Sequence, residues 1–438
     1  MNKTVRVLIS TGCCILLAAA WFVAVNSKST AEKQLVLIEQ ANVFIGDGIY
    51  IRAVPLLEEA AGYDAVHTKT AETVLKKAYL ALIDNRGYSR RYIALLEKQM
   101  NRGDAEPDVF IETAKYYLDS SKTQEALTVL KNGIAKTGDI NIVTLYEDSR
   151  YAFETSRISY DYAAAIFEQT VQVRNDGKWG IANADGTLII PCEYDKISTY
   201  SRDRAITGKG SSIYAVDKDN NRIAAANGEV SDFGNFADNR IPLLADGRWH
   251  RATGDFESGE SIFEEIGMYS GGYAAARSNG KWGVIGLSNK WLIPAEYDGI
   301  IQDELGRCFA QEAVFVRSGD HIQLFANGSF SEYNYEDAHP FSNEGYAAVK
   351  KNGHWGFIDP DGNEIIPFIF DDALSFGQHL AAVKLGELWG YISMYGHIVI
   401  EAQFYEAKSF SGGSAPVLTD QGWQFITLIE YRKGVLLI

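Results

Sequence analysis

From residue 31 onward the spacing of apolar residues changes once, near residue 156, and that change divides this part of the chain into two kinds of structure. Between residues 31 and 155 the apolar positions recur at intervals of three and four, as in Val74, Ala78 and Leu82 or Ile93, Leu96 and Met100, which is the spacing of one helix face. Gly and Asp interrupt these runs at Gly46-Asp47-Gly48, Asn85-Arg86-Gly87, Arg102-Gly103-Asp104 and Gly138-Asp139, so the pattern predicts helices of 12–15 residues joined by short turns. Beyond Ile158 the apolar runs shorten to four to six residues bounded by Gly, Asn and Asp, which predicts strands. Ahead of both lies a third pattern. Lys3 and Arg6 precede Val7–Val25, nineteen uncharged residues, enough to cross a bilayer core of ~30 Å.

Within the helical stretch, Phe110, Ala114, Tyr117, Ala126, Leu130 and Gly133 follow spacings of 4, 3, 9, 4 and 3, and Leu37, Ala41, Phe44, Ala53, Leu57 and Ala60 repeat them. Ala94 and Leu95 suggest a divergent unit between the two. These positions resemble the tetratricopeptide repeat, in which small residues let paired helices approach and an aromatic fills the groove. The Trp and paired Gly of a strong consensus are missing, and Pro55 falls inside a predicted helix, where only the first turn tolerates it easily. A generic helical bundle with Ala at tight crossings fits the same residues, and in either case they serve packing.

The strand region repeats itself. Asn175-Asp176-Gly177-Lys178-Trp179-Gly180 returns as Asn279-Gly280-Lys281-Trp282-Gly283, Asn352-Gly353-His354-Trp355-Gly356 and Gly386-Glu387-Leu388-Trp389-Gly390, with weaker copies at Trp249 and Trp423. Tyr214 and a residue near Ile322 fill the two gaps, giving eight anchors separated by 35, 35, 33, 40, 33, 34 and 34 residues. After each anchor come a turn, an apolar run ending in Pro (Ile190-Pro191, Ile293-Pro294, Ile366-Pro367), and an aromatic with an acid (Tyr194-Asp195, Tyr297-Asp298, Phe370-Asp371). A further aromatic, such as Phe341 or Phe376, then precedes a run of small apolar residues. The Gly after Trp predicts a close approach by another backbone, and the Trp supplies area that a short strand cannot bury alone.

This phrase resembles the WG-containing β-repeat family over roughly residues 158–438. The resemblance implies a non-catalytic repeat module found in bacterial proteins beside other domains. The expected architecture is multidomain, α then all-β: a signal anchor over residues 1–27, tetratricopeptide-like hairpins over 28–155, and eight β-repeats of ~34 residues over 156–438. A closed β-propeller is favoured over an open stack, because closure protects strand edges.

Composition then narrows the chemistry. With 57 acidic against 41 basic residues the formal net charge is -16, which argues against nucleic acid as a partner. The seven His never fall at a metal-binding spacing, no nucleophile or nucleotide motif stands in context, and the reading therefore assigns no catalytic residue, metal or cofactor. Asp217-Lys218-Asp219-Asn220-Asn221 looks like the start of a calcium loop, but Arg222 and Gly228 occupy the positions of its required Gly and Glu, so it reads as a repeat turn. Arg174, Arg277, Arg317, Lys350 and Lys384 follow the small-apolar run in five units. Aligned strands would set them in a ring for an anionic or glycan ligand; alternatively each pairs with an acid such as Asp195, Asp298 or Asp371. Cys192 and Cys308 lie far apart, and nothing local says whether they pair.

The expectation is an extracytoplasmic protein held by one N-terminal helix, or secreted if Ala18-Ala19-Ala20 marks a cleavage site. It would mediate protein–protein interaction or scaffolding, with envelope glycans as the alternative ligand and a propeller-type hydrolase as a remoter one.

Overall fold

The computed structural model describes residues 29–226, 230–310 and 312–431. The segment expected to anchor the chain, residues 1–27, lies outside them, and no helix among the described residues is long and apolar enough to cross a membrane. The chain divides into two compact units at Tyr146/Glu147.

Among the described residues seven helices precede the sheets: α1 (29–46), α2 (Tyr50–Gly62), α3 (Thr68–Leu80), α4 (Arg86–Met100), α5 (Pro107–Asp119), α6 (Thr123–Thr137) and α7 (Ile140–Ser149), the last running past the boundary of the first unit. Its core holds the residues that the three-and-four spacing singled out. Ala41, Ala53, Leu57 and Ala60, and Phe110, Ala114, Ala126 and Leu130, are all fully buried. Gly133 is tight for a physical reason, since a Cβ there would lie 2.9 Å from the Phe110 ring and 3.0 Å from Ile142. Asn85 caps α4 by accepting from the Gly87 amide, and Gly138 ends α6 in the left-handed conformation. Pro55 is the sixth residue of α2 rather than a first-turn residue; Ile51, one turn earlier, lies on the exposed side of the helix.

The second unit is a β-propeller of eight four-stranded antiparallel blades. In chain order the blades are Tyr162–Tyr194, Lys196–Ala225, Val230–Phe263, Glu265–Tyr297, Gly299–Tyr335, Asp337–Phe370, Asp372–Phe404 and Glu406–Leu428. The chain itself supplies only three strands of blade eight. The fourth is Phe153–Thr155, which pairs with Gly422–Leu428 from the other end of the unit, and Tyr160 exchanges backbone hydrogen bonds with Trp423. The ring is thus closed and not an open stack. A strand that the sequence boundary at residue 155 leaves with the helices belongs to the last blade.

The apolar core lies between blades. Each of eight buried clusters joins two successive blades, from Ile181, Ile190, Ala205 and Val216 across blades one and two to Ala163, Val173, Trp423 and Phe425 across blades one and eight. The last of these clusters exists only because the ring closes.

The repeated phrase has a geometric basis. The six Trp stand at one register position of the third strand, each opposite the second strand's fifth or fourth residue, as in Arg174↔Trp179 and Arg277↔Trp282. After Trp, the pairing with the fourth strand slips next to the Ile of the apolar run, which Pro follows in blades one and four and Glu401 in blade seven, and the bulged backbone crosses directly over the Gly. A Cβ would lie 2.5 Å from the Ile190 carbonyl oxygen at Gly180, 2.4 Å from that of Ile293 at Gly283 and 2.5 Å from that of Ile400 at Gly390. Blade eight has no such bulge, because its fourth strand is Phe153–Thr155, and Gln424 is accommodated there with its amide donating to the Ser156 carbonyl. The acid after the outer aromatic caps the hairpin of the following blade: Asp195 accepts from the Gly210 amide, Asp298 from Gly319 and Asp371 from Gly386. In blade two the anchor position belongs to Ile213, which faces Gly208; Tyr214, one residue on, points to the other face and packs against Tyr194.

Gly390→Ala should destabilise the propeller by about 1–3 kcal/mol through overpacking against the Ile400 carbonyl. Chemical denaturation followed by Trp emission measures it, and an unchanged midpoint would refute this account of the Trp-Gly pair.

Candidate functional site

Blade five carries the longest repeat, and its extra residues follow the innermost strand Gly299–Ile300 as a loop, residues 301–310. This loop crosses the ring axis. Leu305 packs with Ala164 of blade one, Ala237 of blade three and Met268 of blade four. The Leu305 carbonyl accepts from the Asn235 side chain, the Gly306 carbonyl accepts from the Met268 amide, and the Arg307 guanidinium lies over the Phe167 ring at 6.0 Å. Asp303 bonds the Leu305 and Arg307 amides and the Arg307 guanidinium, which holds the loop in shape.

From blade eight, Lys408 completes the plug. Its ammonium donates to Glu304 at 2.7 Å and Glu406 at 3.2 Å, and sits 5.1 Å from the Trp423 ring and 5.7 Å from Tyr162. Burial disfavours the Lys408 charge, but Glu304, Tyr162 and Glu406 outweigh it and raise its pKa above that of an ordinary lysine. On the loop itself, burial pushes the Cys308 thiol up to about 12. Cys192 and Cys308 are both free thiols.

Above the plug opens a bowl of about 860 Å³, set against blades one to four. Tyr162, Trp179, Trp249 and Trp282 form its aromatic wall, and Gln302, Asp303 and Glu304 its floor. The three indoles are partly exposed, whereas Trp355, Trp389 and Trp423 on the opposite side of the ring are buried. Several of the bowl's polar groups are held by neighbours. Gln172 donates to the Ile197 carbonyl and to Asn235; Glu265 pairs with Arg277 at 2.7 Å; Lys196 pairs with Asp232 at 2.6 Å. Such a surface presents fixed, rigid partners to a ligand.

The five cations singled out from the sequence occupy one register position of the second strand, in blades one, four, five, six and seven, opposite Tyr162, Glu265, Gly299, Asp337 and Asp372. None of the five lines the bowl. Arg277 is paired with Glu265, Arg317 lies 3.7 Å from Asp337 of the next blade, and Arg174 lies over Tyr162 and Trp179 at 5.7 and 5.3 Å. The acids expected to neutralise them do other work: Asp195 and Asp298 pair with Lys178 and Lys281 and, like Asp371, cap hairpin turns. Asp217 accepts from the Asp219 and Asn221 amides, so the calcium-like segment is an ordinary turn. Among the described residues, no group of three or more His, Cys, Asp or Glu converges as a metal site.

The plug was missed by sequence reasoning. Its one signal is the anchor step of 40 residues where its neighbours are 33–35.

Lys408→Met should leave Glu304 half-buried without its cation and cost about 2 kcal/mol. The double variant Lys408→Met/Glu304→Gln should recover most of that loss. Additive losses in a thermal-denaturation cycle would contradict the coupling.

Several solved structures resemble the chain at low identity. Hsv2 of Kluyvelomyces marxianus is 11% identical, with 61% of this chain and 96% of that one covered and a TM-score of 0.34. The β-propeller domain of Myceliophteria thermophila Cps50 is 12% identical, with 55% and 99% covered and a TM-score of 0.33. A eukaryotic initiation factor is 11% identical, with 61% and 83% covered and a TM-score of 0.40. No curated protein sequence matches the chain. The profile of the WG-containing repeat matches residues 179–211, 260–282, 282–303, 331–354, 355–389 and 389–423, and over those segments the chain is similar to the WG-containing repeat family.

Proposed function

We propose that the protein is a non-catalytic docking module that holds a partner protein at the bowl on the propeller axis. The observation that carries this reading is the bowl itself: a wide opening with an aromatic wall, whose floor is the chain's own insertion and several of whose polar groups are already fixed. Carboxylates already engaged by the chain's own cations, such as Glu265 by Arg277 and Glu304 by Lys408, present acceptors at defined positions, which suits recognition. The helical hairpins would offer a second docking surface, with the tetratricopeptide-like spacing as support. An envelope glycan is the second reading, favoured by the partly exposed indoles, which sugars stack against.

The tether is part of the same proposal. Lys3 and Arg6 ahead of nineteen uncharged residues favour an uncleaved anchor, with the bulk of the chain outside the cytoplasm. Protease added to intact cells should then remove the propeller from the full chain and leave a short membrane-bound stub. Full protection until lysis would defeat the export assignment.

A photo-crosslinking residue placed at Gln302, on the bowl floor, should yield defined protein adducts in intact cells. The same residue at Tyr395, an exposed position in blade seven, should not. Adducts that disappear on glycosidase treatment would favour the glycan. Equal labelling from both positions would remove the bowl as the docking site.

A further inference from the structure

One position at the end of the inner strand explains why the bowl exists. Immediately after that strand, blade six places His339, blade seven Leu374 and blade eight Lys408. The His339 ring stacks on Trp355, with centroids 5.1 Å apart and planes 26° apart. Leu374 packs in the cluster that contains Trp389, and the Lys408 ammonium sits over Trp423. These covered indoles are only 6%, 7% and 3% exposed.

In blades one, three and four the same position holds Ala164, Gly234 and Gly267, and the corresponding indoles of Trp179, Trp249 and Trp282 wall the bowl. The neighbours keep the two glycines bare. A Cβ at Gly234 would come within 2.9 Å of Pro242, and one at Gly267 within 2.2 Å of the Gln302 side chain and 2.8 Å of the Gly306 carbonyl. Trp179 already has Arg174 over its face and Tyr162 at its edge. Among the described residues, Trp249 and Trp282 are the two bowl indoles for which no ring stacking or cation contact of this kind is seen.

Lys408 shows what such a place accepts. Its cage consists of the blade's own indole, the carboxylate of Glu406 at the first residue of the inner strand, and Glu304 of the plug. Blade four repeats the first two parts as Trp282 and Glu265, with Asp303 and Glu304 on the adjoining floor. The bowl's lining holds the carboxylates of Asp195, Glu265, Asp303 and Glu304 against the single lysine Lys196. All of these have internal partners, but Glu265 and Arg277 form an exposed pair, which a second cation can share at little cost.

We propose that the bowl receives Lys or Arg side chains from a basic segment of a partner protein, which cover Trp249 and Trp282 as Lys408 covers Trp423. An ammonium or guanidinium over an indole, desolvated and flanked by carboxylate, gains both cation–π and charge-assisted hydrogen-bond energy. A sugar would stack on the indoles and donate hydroxyls to the carboxylates, but it brings no positive charge to them. This inference rests on the docking reading above: adducts at Gln302 with no preference for basic peptides would defeat the inference and leave that reading standing.

The test titrates the full-length, detergent-solubilised protein, by calorimetry and Trp emission, with a Lys/Arg-rich dodecapeptide, its Glu-substituted counterpart and a chitin oligosaccharide. The basic peptide should bind and shift the indole emission, and the other two should not. Trp282→Ala should weaken it at least fivefold without altering the protein's charge, which separates the site from general attraction to an acidic molecule; Glu265→Gln should weaken it as well. Where circular dichroism shows that Trp282→Ala fails to fold, Trp282→Phe carries the same expectation with a smaller loss. Basic-peptide binding that these variants leave unchanged, binding of the oligosaccharide instead, or no binding at all would overturn the proposal.

Discussion

No blade of about thirty residues can bury both faces of its own sheet, and every other feature of the propeller follows from that. Each sheet must be covered by the sheets before and after it, so the apolar clusters lie between blades. An open array of such sheets would leave two faces and two edges uncovered at its ends. Closure removes them, and the chain achieves it by spending its first β segment, Phe153–Thr155, as the outer strand of its last blade.

Ring closure in turn creates a void at the axis, where eight inner strands cannot touch one another across the centre. The loop of blade five fills it. The plug ties blades one, three, four and eight together through Leu305, the Asn235 amide, the Met268 amide and Lys408, contacts that successive blades cannot make. It also converts an open channel into a bowl with a floor, and so places Gln302, Asp303 and Glu304 where a ligand would meet them.

The architecture was legible because its constraints are local and repeated. Trp-Gly followed by an apolar run marks a bulge over a residue that cannot carry a Cβ, and that geometry recurs with Pro after the Ile in blades one, four and six and with Glu401 there in blade seven. Positions of lower information content slipped: Tyr214 stands one residue from the anchor register of blade two because a Tyr next to an Ile gives no sign of which one faces in. The cation ring had a real basis in register, yet equivalence along strands does not bring five side chains to one cavity. The acids assigned to these cations were read for their charge, while their structural work is to accept from backbone amides at turns. The bowl was invisible because it depends on which residues are absent from one inner position, and on a loop folding back across the ring.

The departures from the repeat therefore carry more of the functional information than the repeat does. Blades six and seven keep the Trp-Gly phrase, and their indoles are buried by the chain's own side chains. Blade eight loses the Gly because its outer strand arrives from elsewhere, which is a consequence of closure. The small residues Ala164, Gly234 and Gly267, together with the insertion in blade five, forgo burial, since a propeller with all six indoles covered would bury more apolar surface. These features converge on one place, where they leave Trp249 and Trp282 uncovered beside Glu265 and above Glu304. Forgone burial concentrated on one side of the ring axis marks a surface completed by another molecule.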